Sequence, residues 1–177
     1  MDFKIINRET IYSTRAFEVQ KILMQLPNQK QRHYDLVVHT GAVTIVPVDH
    51  EGNIWFVTQY RLGAETSLLE LPAGTLDPGE DPLDCAAREI REEIGMAAGR
   101  LQFLGDFYMA PGYSSEHMYV YLAFDLYPQA LEPDSDEFLH ISKMPLPEAY
   151  RMIRNSELKD GKSLAAMLMA QPFLSVP

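Results

Sequence analysis

Hydrophobic positions along this chain fall into short runs separated by polar breaks. Phe3 to Ile11, Phe17 to Leu26 and His33 to Val38 are rich in β-branched, aliphatic and aromatic residues. Pro27-Asn28-Gln29-Lys30 interrupts them with turn chemistry, so they predict the short strands of a small N-terminal sheet. Gly41 opens another apolar run, Ala42 to Val48, and the turn Asp49-His50-Glu51-Gly52-Asn53 joins it to Ile54 to Tyr60, which predicts a hairpin. From Asp81 to Ile94 the period changes to that of a helix. Pro82 suits its first turn and Gly95 the left-handed residue just past its end. Leu83, Ala86, Ala87, Ile90 and Ile94 share one stripe, which predicts the face that packs on a sheet. Strands follow at Leu101 to Phe107 and Met118 to Leu126, then an acidic, proline-containing loop from Gln129 to Glu137. Helices are predicted at Pro147 to Asn155 and Ser163 to Met169. This order predicts an α+β fold, a mixed-sheet sandwich preceded by a small antiparallel sheet, with residues 1–39 as one subdomain and 40–177 as the main domain.

Composition narrows the function. The 177 residues are 46% hydrophobic, enough for a packed core. The longest purely apolar run, Leu164 to Ala170, falls far short of the roughly 20 residues that span a bilayer. No basic region followed by an apolar stretch marks a secretory signal at the N-terminus, and the lone Cys85 has no internal disulfide partner, so a cytoplasmic location is expected. Fifteen Lys and Arg against 25 Asp and Glu leave a formal charge of −10, the wrong sign for gripping a nucleic-acid polymer. An acidic protein still binds a small anion when divalent cations sit between them.

The candidate chemistry lies in Gly74-Thr-Leu-Asp-Pro-Gly-Glu80 and, after seven intervening residues, Arg88-Glu89-Ile90-Arg91-Glu92-Glu93-Ile94-Gly95. On a helix, Glu89 and Glu93 lie about 40° apart and Glu92 about 60° from Glu89. Carboxylates so placed repel unless cations bind between them, and hard oxygen donors select Mg²⁺ or Mn²⁺ over zinc. Arg88 is placed to orient a neighbouring carboxylate, and Gly74 permits a tight turn that brings carbonyls near a metal. Without the fixed Gly, Glu and Arg, the same run would read as a solvated acidic helix face with ion pairs such as Arg88 with Glu92.

This pattern resembles the Nudix box at its defining positions. The resemblance implies a Mg²⁺-dependent hydrolase of nucleoside diphosphates linked to another moiety, on an α/β/α sandwich, with Glu89, Glu92, Glu93 and the Ala73 carbonyl as metal ligands. Pro111, sixteen residues after Gly95, together with Gln59-Tyr60-Arg61, Glu70-Leu71-Pro72-Ala73-Gly74, the N-terminal strands and Lys159-Asp160-Gly161-Lys162-Ser163, is similar to the ADP-ribose pyrophosphatase branch of that family. The branch implies that Glu116, on the loop after Pro111, orients or deprotonates the attacking water, with Glu92 and Arg88 also catalytic. It implies that Arg61 grips the diphosphate, and that the N-terminal sheet forms a homodimer in which Phe17 and Tyr34 flank the adenine. Asp35 and His39 stand where relatives tend to carry Glu and Arg. The implied substrate is ADP-ribose, cleaved to AMP and ribose 5-phosphate; the alternatives are another nucleoside diphosphate sugar such as GDP-mannose, a dinucleotide, or a nucleotide-binding sensor without turnover. Oxidised nucleoside triphosphates fit poorly with the N-terminal strands and Pro111.

Other residues read as structural. Cys85 and Trp55 read as packing, the methionines as core filler, and Asp134, Asp136 and Glu137 as a solvated loop. The five histidines show no spacing for a zinc site.

Overall fold

The computed structural model describes residues 2–132 and 138–174, and its contacts group the chain into two compact units. The first comprises residues 1–41 and 107–117, the second residues 42–106 and 118–177. Asp134, Asp136 and Glu137, expected as a solvated loop, lie outside the described residues.

In the first unit, β1 (Lys4–Ser13), β2 (Phe17–Gln25) and β3 (Gln31–His39) form an antiparallel meander in that order. Thr14 closes the first turn: its hydroxyl accepts the Phe17 N–H at 3.0 Å. Gln29, at φ +66°, lets the second turn reverse within the predicted Pro27–Lys30 stretch. All ten residues of β1 are exposed, the apolar Ile5, Ile6, Ile11 and Tyr12 among them.

The second unit holds two further sheets, save for Phe107, Tyr108 and His117 at their strand ends, which group with the first. One is four-stranded, in the order β7 (Ala73–Thr75), β4 (Ala42–Pro47), β9 (His117–Pro128), β8 (Met96–Tyr108), with β4 antiparallel to β7 and parallel to β9. The other is antiparallel: β10 (His140–Pro145), β5 (Asn53–Arg61), β6 (Thr66–Glu70). The helices are α1 (Pro82–Glu93), α2 (Leu146–Arg154) and α3 (Gly161–Ala170). Both α1 and α3 pack on β4, whose six residues are all buried, as a continuous apolar run in a covered strand should be. The core joins Val43 and Ile45 of β4 to Ala86, Ile90 and Ile94 of the α1 segment and to Tyr121 and Ala123 of β9. This is the α+β architecture with a mixed sheet that the pattern predicts. Among the described residues no helix is long and apolar enough to cross a membrane.

Two expectations need correction. Asp49 does reverse the chain, its Oδ1 accepting the Glu51 and Asn53 N–H groups at 3.0 and 2.9 Å. Beyond the single bridge Val48–Ile54, however, β4 and β5 part into different sheets rather than forming a hairpin. Turn chemistry specifies a reversal; the pairing partner of two apolar runs is set by the rest of the fold. Leu83 has the phase of the buried stripe but is 45% exposed, because it lies in the first turn of α1, ahead of the stretch that the core covers. The buried stripe instead takes in Cys85, Glu89 and Glu93. The strands β6, β7 and β10 were not predicted; each is six residues or shorter and none shows a clear alternation.

Candidate active site

The α1 segment is placed by its ends. Asp81 caps it, accepting the Leu83 N–H at 2.8 Å, and Gly95 at φ +70° ends it in the left-handed region. Its buried face brings two carboxylates inward, with Glu89 6% and Glu93 4% exposed. Glu93 Oε2 accepts the Ala73 N–H at 3.0 Å, which fastens the helix to the peptide that precedes Gly74. Glu89 lies directly against Gly74, where a Cβ would overlap its carboxylate.

Arg88 organises the exposed side of this cluster. Its Nη1 donates to Glu89 Oε1 at 2.6 Å and Glu92 Oε2 at 2.8 Å, and its Nε and Nη2 take Glu80 in a fork, both at 2.9 Å. Those bonds raise the Arg88 pKa, and they hold the Glu80 carboxyl far below its usual range, at about 2. Burial pushes the Cys85 thiol up and leaves it protonated, in keeping with a packing role.

A pH dependence follows for the metal-free protein. The folded-state pKa of Glu80 is depressed from 4.5 to about 2, so its contribution to stability is complete above about pH 4.5 and is lost as the pH falls toward 2. Urea unfolding midpoints should fall across that window, and Glu80→Gln should flatten the fall; an unchanged slope in the variant would refute the assignment.

Among the described residues no three acidic, histidine or cysteine side chains already converge as a metal cage. Glu89 and Glu92 are turned onto Arg88, and Glu93 onto the Ala73 amide. The donors nevertheless suit a hard divalent cation: they are anionic and all oxygen, Glu89 and Glu93 are buried, and Glu89 lies against Gly74.

Arg61 ends β5 and takes the carboxylate of Glu70 in a fork, Nε to Oε1 at 2.8 Å and Nη2 to Oε2 at 2.6 Å. That pairing raises its pKa, and the charges of Asp160 and Glu93 add to the effect, so Arg61 lies within electrostatic reach of Glu93. Glu70 is 1% exposed and also bonds Lys162. Neither Glu70 nor Lys162 was among the expected site residues. Their signal was weak: charged residues at the end of one strand and the start of a helix, 92 positions apart.

The remaining candidates lie in the first unit. Phe17 pairs with His39 across β2 and β3, and Tyr34 with Ile22, in a register without shifts. The odd offset places Phe17, Asp35 and His39 on one face and Tyr34 on the other. Phe17 and Tyr34 are 38% and 40% exposed. The His39 ring accepts the Gly41 N–H through Nδ1 at 3.0 Å. Pro111 begins the exposed part of the 109–116 loop, whose ends meet where the Met109 N–H donates to the Glu116 carbonyl at 3.1 Å. That loop is fastened to β3: Val37 N–H donates to Tyr113 O at 2.8 Å, Ser115 N–H to Val37 O at 2.9 Å, and His39 N–H to Ser115 Oγ at 3.0 Å. Ser114 Oγ accepts the Glu116 N–H at 3.1 Å.

The NUDIX domain profile matches residues 38–167. The chain is 34% identical over 173 residues to an ADP-ribose pyrophosphatase of Bacillus subtilis, covering 97% of this chain and 94% of that protein. It is 35% identical over 170 residues to a methanol dehydrogenase activator of Bacillus methanolicus, covering 95% and 92%. A crystal structure of an ADP compounds hydrolase superposes with a TM-score of 0.86 at 30% identity, covering 98% of this chain and 95% of that one.

Proposed function

The chain belongs to the Nudix family, and from that premise we propose that it hydrolyses the diphosphate of ADP-ribose to AMP and ribose 5-phosphate, with Mg²⁺ as its metal. One observation carries the reading most: the complete box, with Glu89 and Glu93 buried around Gly74 and Arg88 holding Glu80, Glu89 and Glu92. Similarity to an ADP-ribose pyrophosphatase over nearly the whole length supports the choice of substrate.

In this reading Glu89, Glu92, Glu93 and the Ala73 carbonyl hold the metal, and Mn²⁺ substitutes for Mg²⁺. When bound, the metal neutralises charge on the phosphoryl oxygens and lowers the pKa of coordinated water. Arg88 keeps Glu89 and Glu92 aligned until the metal enters. Arg61 offers a guanidinium to the diphosphate, its plane already fixed by Glu70. Glu116 orients the attacking water and accepts its proton as the new P–O bond forms and the bridging P–O bond breaks.

Residues 1–39 serve base binding and dimerisation, and residues 40–177 carry the hydrolase. Two observations support the dimer. Every residue of β1 is exposed, several of them large and apolar. Phe17 and Tyr34 also face opposite sides of one sheet, so a single chain does not present both rings to one adenine. Phe17, Tyr34, Asp35, His39 and Pro111 then line the base and ribose end of the substrate. Light scattering should give a homodimer; a monomer would remove the two-subunit adenine sandwich. The buried Cys85 thiol suits a cytoplasmic protein.

A phosphatase-coupled screen with Mg²⁺ tests the substrate. ADP-ribose should exceed GDP-mannose, UDP-glucose, NADH and diadenosine polyphosphates by tenfold or more in kcat/KM, about 1.4 kcal/mol of transition-state discrimination. Preference for GDP-mannose would reassign the base, and tight binding without turnover would leave a nucleotide sensor.

A further inference from the structure

Lys159-Asp160-Gly161-Lys162-Ser163 takes no part in the chemistry above, yet three of its side chains meet at the approach to Gly74. Asp160 caps α3, its Oδ2 accepting the Ser163 N–H at 2.9 Å, the Ser163 hydroxyl at 2.6 Å and Lys162 Nζ at 3.0 Å. Lys162 also donates to Glu70 Oε2, the same carboxylate that holds Arg61. Ser163 Oγ accepts the Leu71 N–H at 2.7 Å. Lys162 is 7% exposed and Ser163 fully buried.

The following residues are held just as closely. Pro72 O accepts the Ile45 N–H at 2.9 Å and the Thr44 hydroxyl at 3.3 Å, and the Ala73 N–H goes to Glu93. Residues 70–73 are thus gripped by α3 at one end and by α1 at the other. Burying charged groups carries a large desolvation cost, and a well-packed apolar pair would hold two elements together at least as well. What the ionic and hydroxyl contacts add is direction: Ser163 fixes one peptide N–H, and Lys162 fixes the carboxylate plane on which the Arg61 fork rests.

We propose that Lys162 and Ser163 are positioning residues, a clamp from the first turn of α3 that sets the Ala73 peptide and the Arg61 guanidinium before metal or substrate arrives. The inference rests on the proposed roles of Ala73 in metal binding and of Arg61 in diphosphate binding.

The test is Mn²⁺ binding to the substrate-free full chain, followed by the resonance of free Mn²⁺, together with ADP-ribose kinetics. Ser163→Ala should weaken Mn²⁺ binding fivefold or more while kcat at saturating Mn²⁺ stays within twofold. Lys162→Met should raise KM for ADP-ribose at least fivefold, and Lys162→Arg should recover most of it. Folded variants with lowered Tm but Mn²⁺ affinity and KM within twofold of the parent would overturn the clamp and leave a structural contact. If Lys162→Met does not fold, the Mn²⁺ affinity of Ser163→Ala decides. A parent chain that binds Mn²⁺ but cleaves no nucleoside diphosphate sugar refutes the functional reading, and weakened Mn²⁺ binding in Ser163→Ala would still support the clamp. A parent chain that binds no Mn²⁺ overturns both.

Discussion

Glu93→Gln should lower kcat for ADP-ribose by about 100- to 1,000-fold, the range seen when one group that stabilises transition-state charge is removed. The substitution is nearly isosteric. Its amide oxygen can still accept the Ala73 N–H, which now reaches Glu93 Oε2 at 3.0 Å, so helix and strand stay joined. What disappears is a negative charge that is 4% exposed and that faces the Gly74 segment. A neutral amide is a poor ligand for a hard divalent cation, so added Mg²⁺ should restore only part of the rate. The thermal midpoint should hold within a few degrees or rise, because a buried carboxylate is costly when no cation is bound. Full activity in this variant would remove Glu93 from the metal site.

Gly74→Ala should be nearly as damaging by a different route. The new Cβ would occupy the space of the Glu89 carboxylate, and a flexible side chain gives way before backbone does. Glu89 would swing out, losing its 2.6 Å bond to Arg88 Nη1, while the β4–β7 pairing through Val43 and Gly74 persists. Activity should drop by about 100-fold, the upper end of losses from disturbing the groups that orient metal ligands. Circular dichroism should stay near that of the parent. A folded, fully active Gly74→Ala protein would mean that the Glu89 carboxylate need not lie where the structure puts it.

How much of this was legible in the sequence depended on range. The α1 segment could be read because its signals are local: Pro in the first turn, a stripe at helical spacing and Gly95 just beyond. The three N-terminal strands were legible for the same reason, with Pro27–Lys30 marking a reversal that the structure keeps. Where the outcome depended on distant partners, local pattern failed. The run after Gly41 and the run before Arg61 flank a competent turn, yet β4 pairs with β9, some 75 residues on, by parallel registry that no turn signal encodes. The Glu70–Lys162 contact was equally hidden, since a lone acidic residue and a lone lysine far apart in the chain carry no mark of burial. Arg61 was singled out, but its fork onto Glu70 became visible only in three dimensions.

The fastening of the 109–116 loop to β3 bears on how this protein can be recombined with its relatives. A chimera built by exchanging only the first 41 residues would set a foreign β3 against the resident loop; the bonds use main-chain groups of residues 37 and 39, so they re-form only if the new strand keeps the same registry against Tyr113 and Ser115. The inheritable cassette is discontinuous, residues 1–41 together with 107–117. Transplanted as a pair, the segments that carry Tyr34 and Glu116 keep their mutual registry; transplanted singly, each would arrive without the strand or loop it was fitted to.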